Sequence, residues 1–408
     1  MVSQPFNVLL LGAGAVNFGT PEGPWCHTTR LERKLGARLN VVGLVDPVTS
    51  KAEARLAEKR GVVGYEHTEV FGSIAAAGEA LTGTRAPALV VAGVQPEIRG
   101  SHAPGRDVEL QVQRAFPSTP LFVEKPLSSS PVAEVVAVAA ALGGTRTSVG
   151  YMFRYLEGLC GGWAGLTPAV QTIRRLIAEH GLQVTATVAQ YYMAYEHAGT
   201  PERHAGYFDL GVEVGPIVSQ ATHIVDLCVY LAGPADLASV HTHTLEVDEG
   251  PGVLSKLGWS SDIPTARHIP RVTTAVWKYA TGAVATLVHG VSLHDGDYET
   301  ELVVLADGWK FKLVDPYGVP RLHVRRPGQP EEAVTVYKDD DPFFTEMATF
   351  IDVIEGVVDE SAVLSTYNEA IRTYELTWAI RNDGDKNRDE RRARAAQANG
   401  KSASNGAA

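Results

Sequence analysis

The chain has 408 residues, room for two or three domains at about 150 residues each. Apolar residues make up 45% and charged residues 20%, which excludes a disordered or fibrous protein. The net charge is −11, with no dense Lys/Arg block ahead of the C-terminal tail, so neither nucleic acid nor an anionic membrane surface is an expected partner.

Cys26, Cys160 and Cys228 are an odd set with wide spacing and match neither a disulfide framework nor a zinc pattern. The first apolar run, Val8 to Leu11, is too short for a signal peptide. No segment approaches the roughly 18 uncharged apolar residues of a membrane helix. The expectation is a cytoplasmic enzyme acting on a small molecule.

In chain order, short apolar runs first alternate with helical patterns. Strands are expected at Phe6 to Leu11, Leu39 to Asp46, Ala88 to Val94 and Leu121 to Glu124. Helices are expected at Thr28 to Leu35, Ser50 to Lys59, Val108 to Phe116 and Pro131 to Leu142. This rhythm predicts an α/β Rossmann domain with a parallel sheet over residues 1–149. Strand-like runs then dominate, at Val184 to Tyr192, Ala238 to Leu245, Arg271 to Tyr279, Ala283 to Val291, Glu299 to Ala306 and Trp309 to Val314. Gly282 and Asp307-Gly308 supply hairpin chemistry. Residues 150–382 are therefore expected to form an α+β domain with a large, mostly antiparallel open sheet. Late helices around Phe343 to Glu355 and Ser365 to Arg381 would close it, the last packing back on the first domain. Residues 383–408 have no aromatic side chain and little apolar content, which predicts a disordered tail.

Gly12-Ala13-Gly14 directly follows the first strand, where glycines let a backbone turn approach a pyrophosphate. The third glycine of the dinucleotide fingerprint would fall at Asn17, and residues 18–26, with Gly19, Pro21, Gly23 and Pro24, delay the helix. Asp46 ends the second strand, where a carboxylate accepts from a ribose diol and repels a 2′-phosphate, favouring NAD over NADP. The bland alternative is an ordinary strand-to-helix turn with Asp46 as a helix cap. Glu124-Lys125-Pro126 follows the strand at Leu121. A lysine at a buried strand end is costly unless it meets a partner or a substrate oxygen.

In these residues the chain resembles the glucose-fructose oxidoreductase/inositol dehydrogenase (Gfo/Idh/MocA) family. The resemblance runs in order through Gly12-Ala13-Gly14, Val45-Asp46-Pro47, the Val90 to Pro96 strand end, Glu124-Lys125-Pro126, Val149 to Tyr155, and Gly215 through His223 to Asp226. It implies that Lys125 contacts the substrate hydroxyl beside the nicotinamide and that the Lys-Pro peptide is cis. It implies cofactor contacts around the glycine turn, at Gly12, Gly14, Val16 and Asn17. Further contacts are implied at the strand ends, at Asp46, Gln95, Pro96, Glu124 and Lys125. His223 matches the family histidine and would accept the hydroxyl proton, while Asp226 would orient its helix. The family's catalytic aspartate position holds Ser219, a departure for which Asp209 or Glu213 is the compensating carboxylate to look for. Ser219, Arg154 and Tyr195 are expected to border the substrate. His241 and His243 share a strand face, but with no third ligand they read as solvated residues and no metal is expected.

The implied function is NAD-dependent oxidation of a secondary alcohol of a sugar, polyol or related compound. The alternatives are a non-catalytic nucleotide-binding sensor or corepressor, and an NAD-assisted glycoside-cleaving enzyme of the same family. The resemblance further implies a homodimer or homotetramer, with subunit contacts through the alternating sheet around Arg271 to Val314.

Overall fold

The computed structural model describes residues 4–20, 23–156, 169–194, 208–210, 214–253, 263–293, 298–338 and 340–405, with side chains through residue 397. The chain divides into two compact units, one of residues 1–168 with 340–371, the other of residues 169–339 with 372–408.

The first unit is built on a six-stranded parallel sheet: β1 (Phe6–Leu11), β2 (Leu39–Val45), β3 (Glu69–Phe71), β4 (Leu89–Ala92), β5 (Leu121–Val123) and β6 (Thr147–Val149). Their order is β3-β2-β1-β4-β5-β6, the doubly wound arrangement whose order reverses beside β1. Continuous apolar sequences such as Val8 to Leu11 suit it, because both faces of a parallel strand are covered. Helices α1 (Ala15–Phe18), α2 (His27–Leu35), α3 (Thr49–Glu58), α4 (Ile74–Ala80), α5 (Val108–Ala115) and α6 (Val132–Leu142) lie between the strands in sequence. Gly12 has φ of 90°, and a Cβ there would sit 3.0 Å from the Gly93 carbonyl oxygen. Only glycine makes this turn without strain.

The later helix Pro342–Ile354 belongs to this unit. Asp341 caps it by accepting from the Phe344 N–H at 3.0 Å, and Pro342 stands in its first turn, where no N–H is needed. Its Met347, Phe350 and Ile351 are buried in one cluster with Leu31, Leu35 and Phe122. The expected substrate domain, 150–382, therefore gives up residues 150–168 and 340–371 to the first unit.

In the second unit an eight-stranded sheet comprises β7 (Val184–Ala194), β8 (Ala235–Leu245), β9 (Val272–Tyr279), β10 (Val284–Leu293), β11 (Tyr298–Ala306), β12 (Trp309–Val314), β13 (Arg321–Arg326) and β14 (Gln329–Val336). The order is β14-β13-β12-β11-β7-β10-β9-β8. Only β7 and β10 pair in parallel; the remaining pairs are antiparallel. Asp307 and Gly308 both take positive φ between β11 and β12, as a two-residue hairpin turn requires. Among the described residues, the helices of this unit ahead of the C-terminal one are α7 (Ala169–Glu179), α8 (Pro216–Ser219) and α9 (Thr222–Ala232). Counting Pro342–Ile354 as α10, the last helix is α11 (Tyr367–Asn405), of which residues 372 onward belong to the second unit.

The expected disordered tail is corrected here. Residues 383–405 continue α11, and its side chains at intervals of four meet the edge strand β8. The Asp383 carboxylate accepts from the Thr242 N–H at 2.6 Å. Asn387 donates to the Thr242 carbonyl at 2.8 Å, and Arg391 to the Thr244 carbonyl at 3.0 Å. Polar pairing orders this segment, which composition had judged on apolar content alone.

Candidate active site

The strand ends of the first unit bring its candidate residues to one sheet edge. The Gly12 N–H continues the ladder to Val45 O at 2.8 Å, Gly93 N–H to Leu11 O at 3.1 Å and Gly150 N–H to Val123 O at 2.9 Å. Asp46, one residue beyond β2, ties two of these ends together. One carboxylate oxygen accepts from the Ala13 N–H at 2.8 Å, the other from the Val48 N–H at 2.9 Å. Around Gly14 no heavy atom lies within 4 Å of the position a Cβ would take. This open approach to bare backbone, beside an anchored carboxylate, fits the pyrophosphate and ribose of a dinucleotide. Val16 is half-buried in the one-turn α1, Gln95 is exposed, and Pro96 opens a short 3-10 turn.

Asn17 turns the other way. It is fully buried and its amide donates to Leu11 O at 2.8 Å and Gly12 O at 2.7 Å. A Cβ at Gly93 would be 2.4 Å from its Oδ1. Its side chain braces the glycine turn from behind, which corrects its assignment as a cofactor contact. Arg154, expected to border the substrate, is 1% exposed and donates to the Leu364 carbonyl.

Glu124 and Lys125 follow β5, and the Lys125–Pro126 peptide is cis. The Lys125 N–H donates to Glu124 Oε2 at 3.2 Å. Glu124 Oε1 accepts from His27 Nε2 at 2.7 Å, and a Cβ at Gly150 would meet Oε2 at 2.9 Å. Burial disfavours the Glu124 carboxylate, yet the His27 hydrogen bond and the charges of His27, Lys125 and Arg99 hold it below the usual range. Arg99 itself is fully buried and donates to Val94 O at 3.2 Å and Leu127 O at 3.0 Å. Glu109, pushed up by burial against the opposing charge of Arg99, accepts from the Gly100 N–H at 2.9 Å.

In the second unit His223 is the second residue of α9 and 4% exposed. The Tyr317 ring stands edge-on to it at 6.1 Å and 88°. Tyr191 donates to the Tyr317 hydroxyl at 3.4 Å and stacks on His289 at 5.4 Å. Burial drives the His289 imidazole down to about 3, so it stays neutral at physiological pH. Ser219 donates to Gly215 O at 3.0 Å. Asp226 is fully buried and accepts from Thr373 at 2.8 Å. Asp209, offered as a carboxylate to offset Ser219, is paired with Arg267 at 2.8 Å. Tyr195 and Glu213 lie outside the described residues. His241 and His243 are exposed, and among the described residues no group of three or more potential ligands could hold a metal ion. No helix among the described residues is long and apolar enough to cross a membrane.

Sequence reasoning missed His27 and Tyr317. His27 opens the helix delayed by the insertion after the glycine turn, a signal that was visible. Tyr317, in a β12–β13 connection, carried none.

Comparison with known proteins agrees with this fold. The Gfo/Idh/MocA family model, oxidoreductase family with NAD-binding Rossmann fold, matches residues 6–151. An oxidoreductase C-terminal domain model matches residues 166–309. An uncharacterized protein of Schizosaccharomyces pombe is 35% identical over 386 residues, 93% of this chain and 97% of its own. A second from the same yeast is 37% identical over 383 residues, covering 92% of this chain and 91% of its own. Among solved structures, the fold is shared with UDP-N-acetylglucosamine 3-dehydrogenase GnnA from Acidithiobacillus ferrooxidans at a TM-score of 0.64 and 14% identity, over 94% of this chain and 99% of that one. It is shared also with the WlbA dehydrogenase from Bordetella pertussis, in complex with NADH and UDP-GlcNAcA, at a TM-score of 0.64 and 14% identity, over 94% and 98%.

Proposed function

Because the chain belongs to the Gfo/Idh/MocA family of oxidoreductases with an NAD-binding Rossmann fold, we propose that it transfers hydride between a secondary alcohol of a sugar, polyol or related compound and NAD, in preference to NADP. The observation that carries this reading is the single sheet edge that holds an open Gly14, a doubly anchored Asp46 and the Glu124–Lys125 pair. Bound NAD supplies the hydride acceptor. The Lys125 ammonium stabilises negative charge on the substrate oxygen as hydride leaves. His223 accepts the hydroxyl proton, the role for which an imidazole is suited near neutral pH. Sugar-like alcohols are the first class to screen, since the fold is shared by a dehydrogenase named for UDP-N-acetylglucosamine and by one solved with UDP-GlcNAcA.

The test is an NAD-reduction screen over sugars, polyols and aromatic diols, followed by variants. Lys125→Ala and His223→Ala should each lower turnover by about a hundredfold or more while NAD affinity stays nearly intact. Turnover near wild type in both would reject these roles. Nucleotide binding without turnover would select the sensor, and glycoside cleavage without net NADH the third reading.

A further inference from the structure

We propose that His27 is a positioning residue of the active site, which fixes the Glu124 carboxylate beside Lys125 through its Nε2–H···Oε1 hydrogen bond. The inference rests on the dehydrogenase reading above and adds a residue that neither the glycine turn nor the Glu-Lys-Pro motif contains.

A carboxylate only accepts, so at 2.7 Å Nε2 carries the hydrogen. The ring is 2% exposed and meets Phe122 of β5 edge-on at 5.0 Å and 72°. Turning the ring away would give up the Glu124 hydrogen bond and the Phe122 contact. Its Nδ1 is buried with no hydrogen-bond partner among the described residues, so Glu124 is the contact that orients the ring. From the other side, Gly150 leaves room for Oε2, which accepts from the Lys125 N–H at 3.2 Å. The carboxylate is thus held at both oxygens, one residue from the proposed catalytic ammonium. The helix that supplies His27 starts only after the insertion at 18–26, so the departure from the dinucleotide fingerprint delivers the clamp.

The charged groups acting on Glu124 are His27 from α2, Lys125 beside it in the chain and Arg99 from the segment after β4. Removing His27 takes away the largest influence that favours the ionised form and leaves burial to oppose it. The carboxyl should then gain its proton at a higher pH than in the wild type.

The test uses the full chain and two readouts. In nucleotide-free protein, the Glu124 side-chain carbon resonance is followed against pH in wild type, His27→Ala and His27→Gln. The midpoint should move up in His27→Ala and return toward wild type in His27→Gln, whose amide donates without titrating. In turnover, the acid limb of kcat/KM should move up with it, with a loss of about tenfold or more in His27→Ala and recovery in His27→Gln. If His27→Ala does not fold, His27→Phe, which keeps the ring contact without the donor, takes its place. An unchanged Glu124 midpoint in a folded variant lacking the donor overturns the inference. A shifted midpoint in a protein that reduces NAD with no alcohol leaves the clamp standing and rejects the proposed reaction instead.

Discussion

At the scale of the residue, Asp46 carries more than one duty. Its two oxygens accept from Ala13 and Val48, so the group that would read the ribose also stiffens the glycine turn. Asp46→Ser should therefore weaken NAD and relieve discrimination against NADP, because it removes the charge that repels a 2′-phosphate. It should also cost about 1–3 kcal/mol of stability, since the serine hydroxyl can serve at most one of the two backbone N–H groups that the carboxylate anchors. Fluorescence titration with both nucleotides and a thermal melt would check this. A wild type that prefers NADP would overturn the assignment. Asp46, Gly12 and Lys125 were legible in the sequence because each follows a strand whose apolar run is unmistakable. Asn17 and Arg154 were read as ligand contacts because their chemistry allows that role; only packing shows that both side chains are buried.

Elements show what sequence patterns carry and what they omit. Strands β1, β2 and β9 to β12 were legible because buried strands need runs or alternation of apolar residues. Strand β3 has three residues, and β13 and β14 form an exposed hairpin rich in Arg and Glu; burial had little to write into them. The continuation of α11 was missed for a related reason. Its side chains satisfy the outward N–H and C=O groups of Thr242 and Thr244 on the edge strand β8, and Gly384 allows close approach, since a Cβ there would lie 3.1 Å from Thr242 Cγ2. An uncovered edge invites pairing with another chain. Truncation after Asn382 should therefore lower the melting temperature by several degrees, for the loss of three hydrogen-bonding side chains at about 1 kcal/mol each. It should also raise aggregation on heating, read by light scattering. An unchanged melt would mean that this segment does not hold the edge.

For the whole molecule, the division into units is not a division of the sequence. The chain leaves the first unit at residue 168 and returns to it over 340–371, and the return completes that unit's core. Met347, Phe350 and Ile351 fill the cluster around Leu31, Leu35 and Phe122. Arg30 pairs with Asp341 at 3.1 Å and Lys34 with Asp352 at 2.7 Å. The segment that follows covers the edge strand β6, with the Val149 N–H donating to Ser365 O at 2.7 Å and Leu364 N–H to the Tyr155 hydroxyl at 2.6 Å. At about 1.5–3 kcal/mol per buried apolar side chain, the three α10 residues alone contribute on the order of 5–9 kcal/mol. That matches the whole stability of many domains, roughly 5–15 kcal/mol. A fragment of residues 1–168 should therefore fail to melt cooperatively and fail to bind NADH, although the family model for the nucleotide-binding domain ends at residue 151. Joining residues 340–371 to it through a flexible linker should restore both, measured by circular dichroism and by NADH fluorescence. If the fragment alone melts near the temperature of the full chain, the returning segment is an accessory to a core that is already complete. If only the joined form melts cooperatively, the nucleotide-binding unit depends on sequence made after all of the second unit's sheet, and its folding must wait for that sequence to be synthesised.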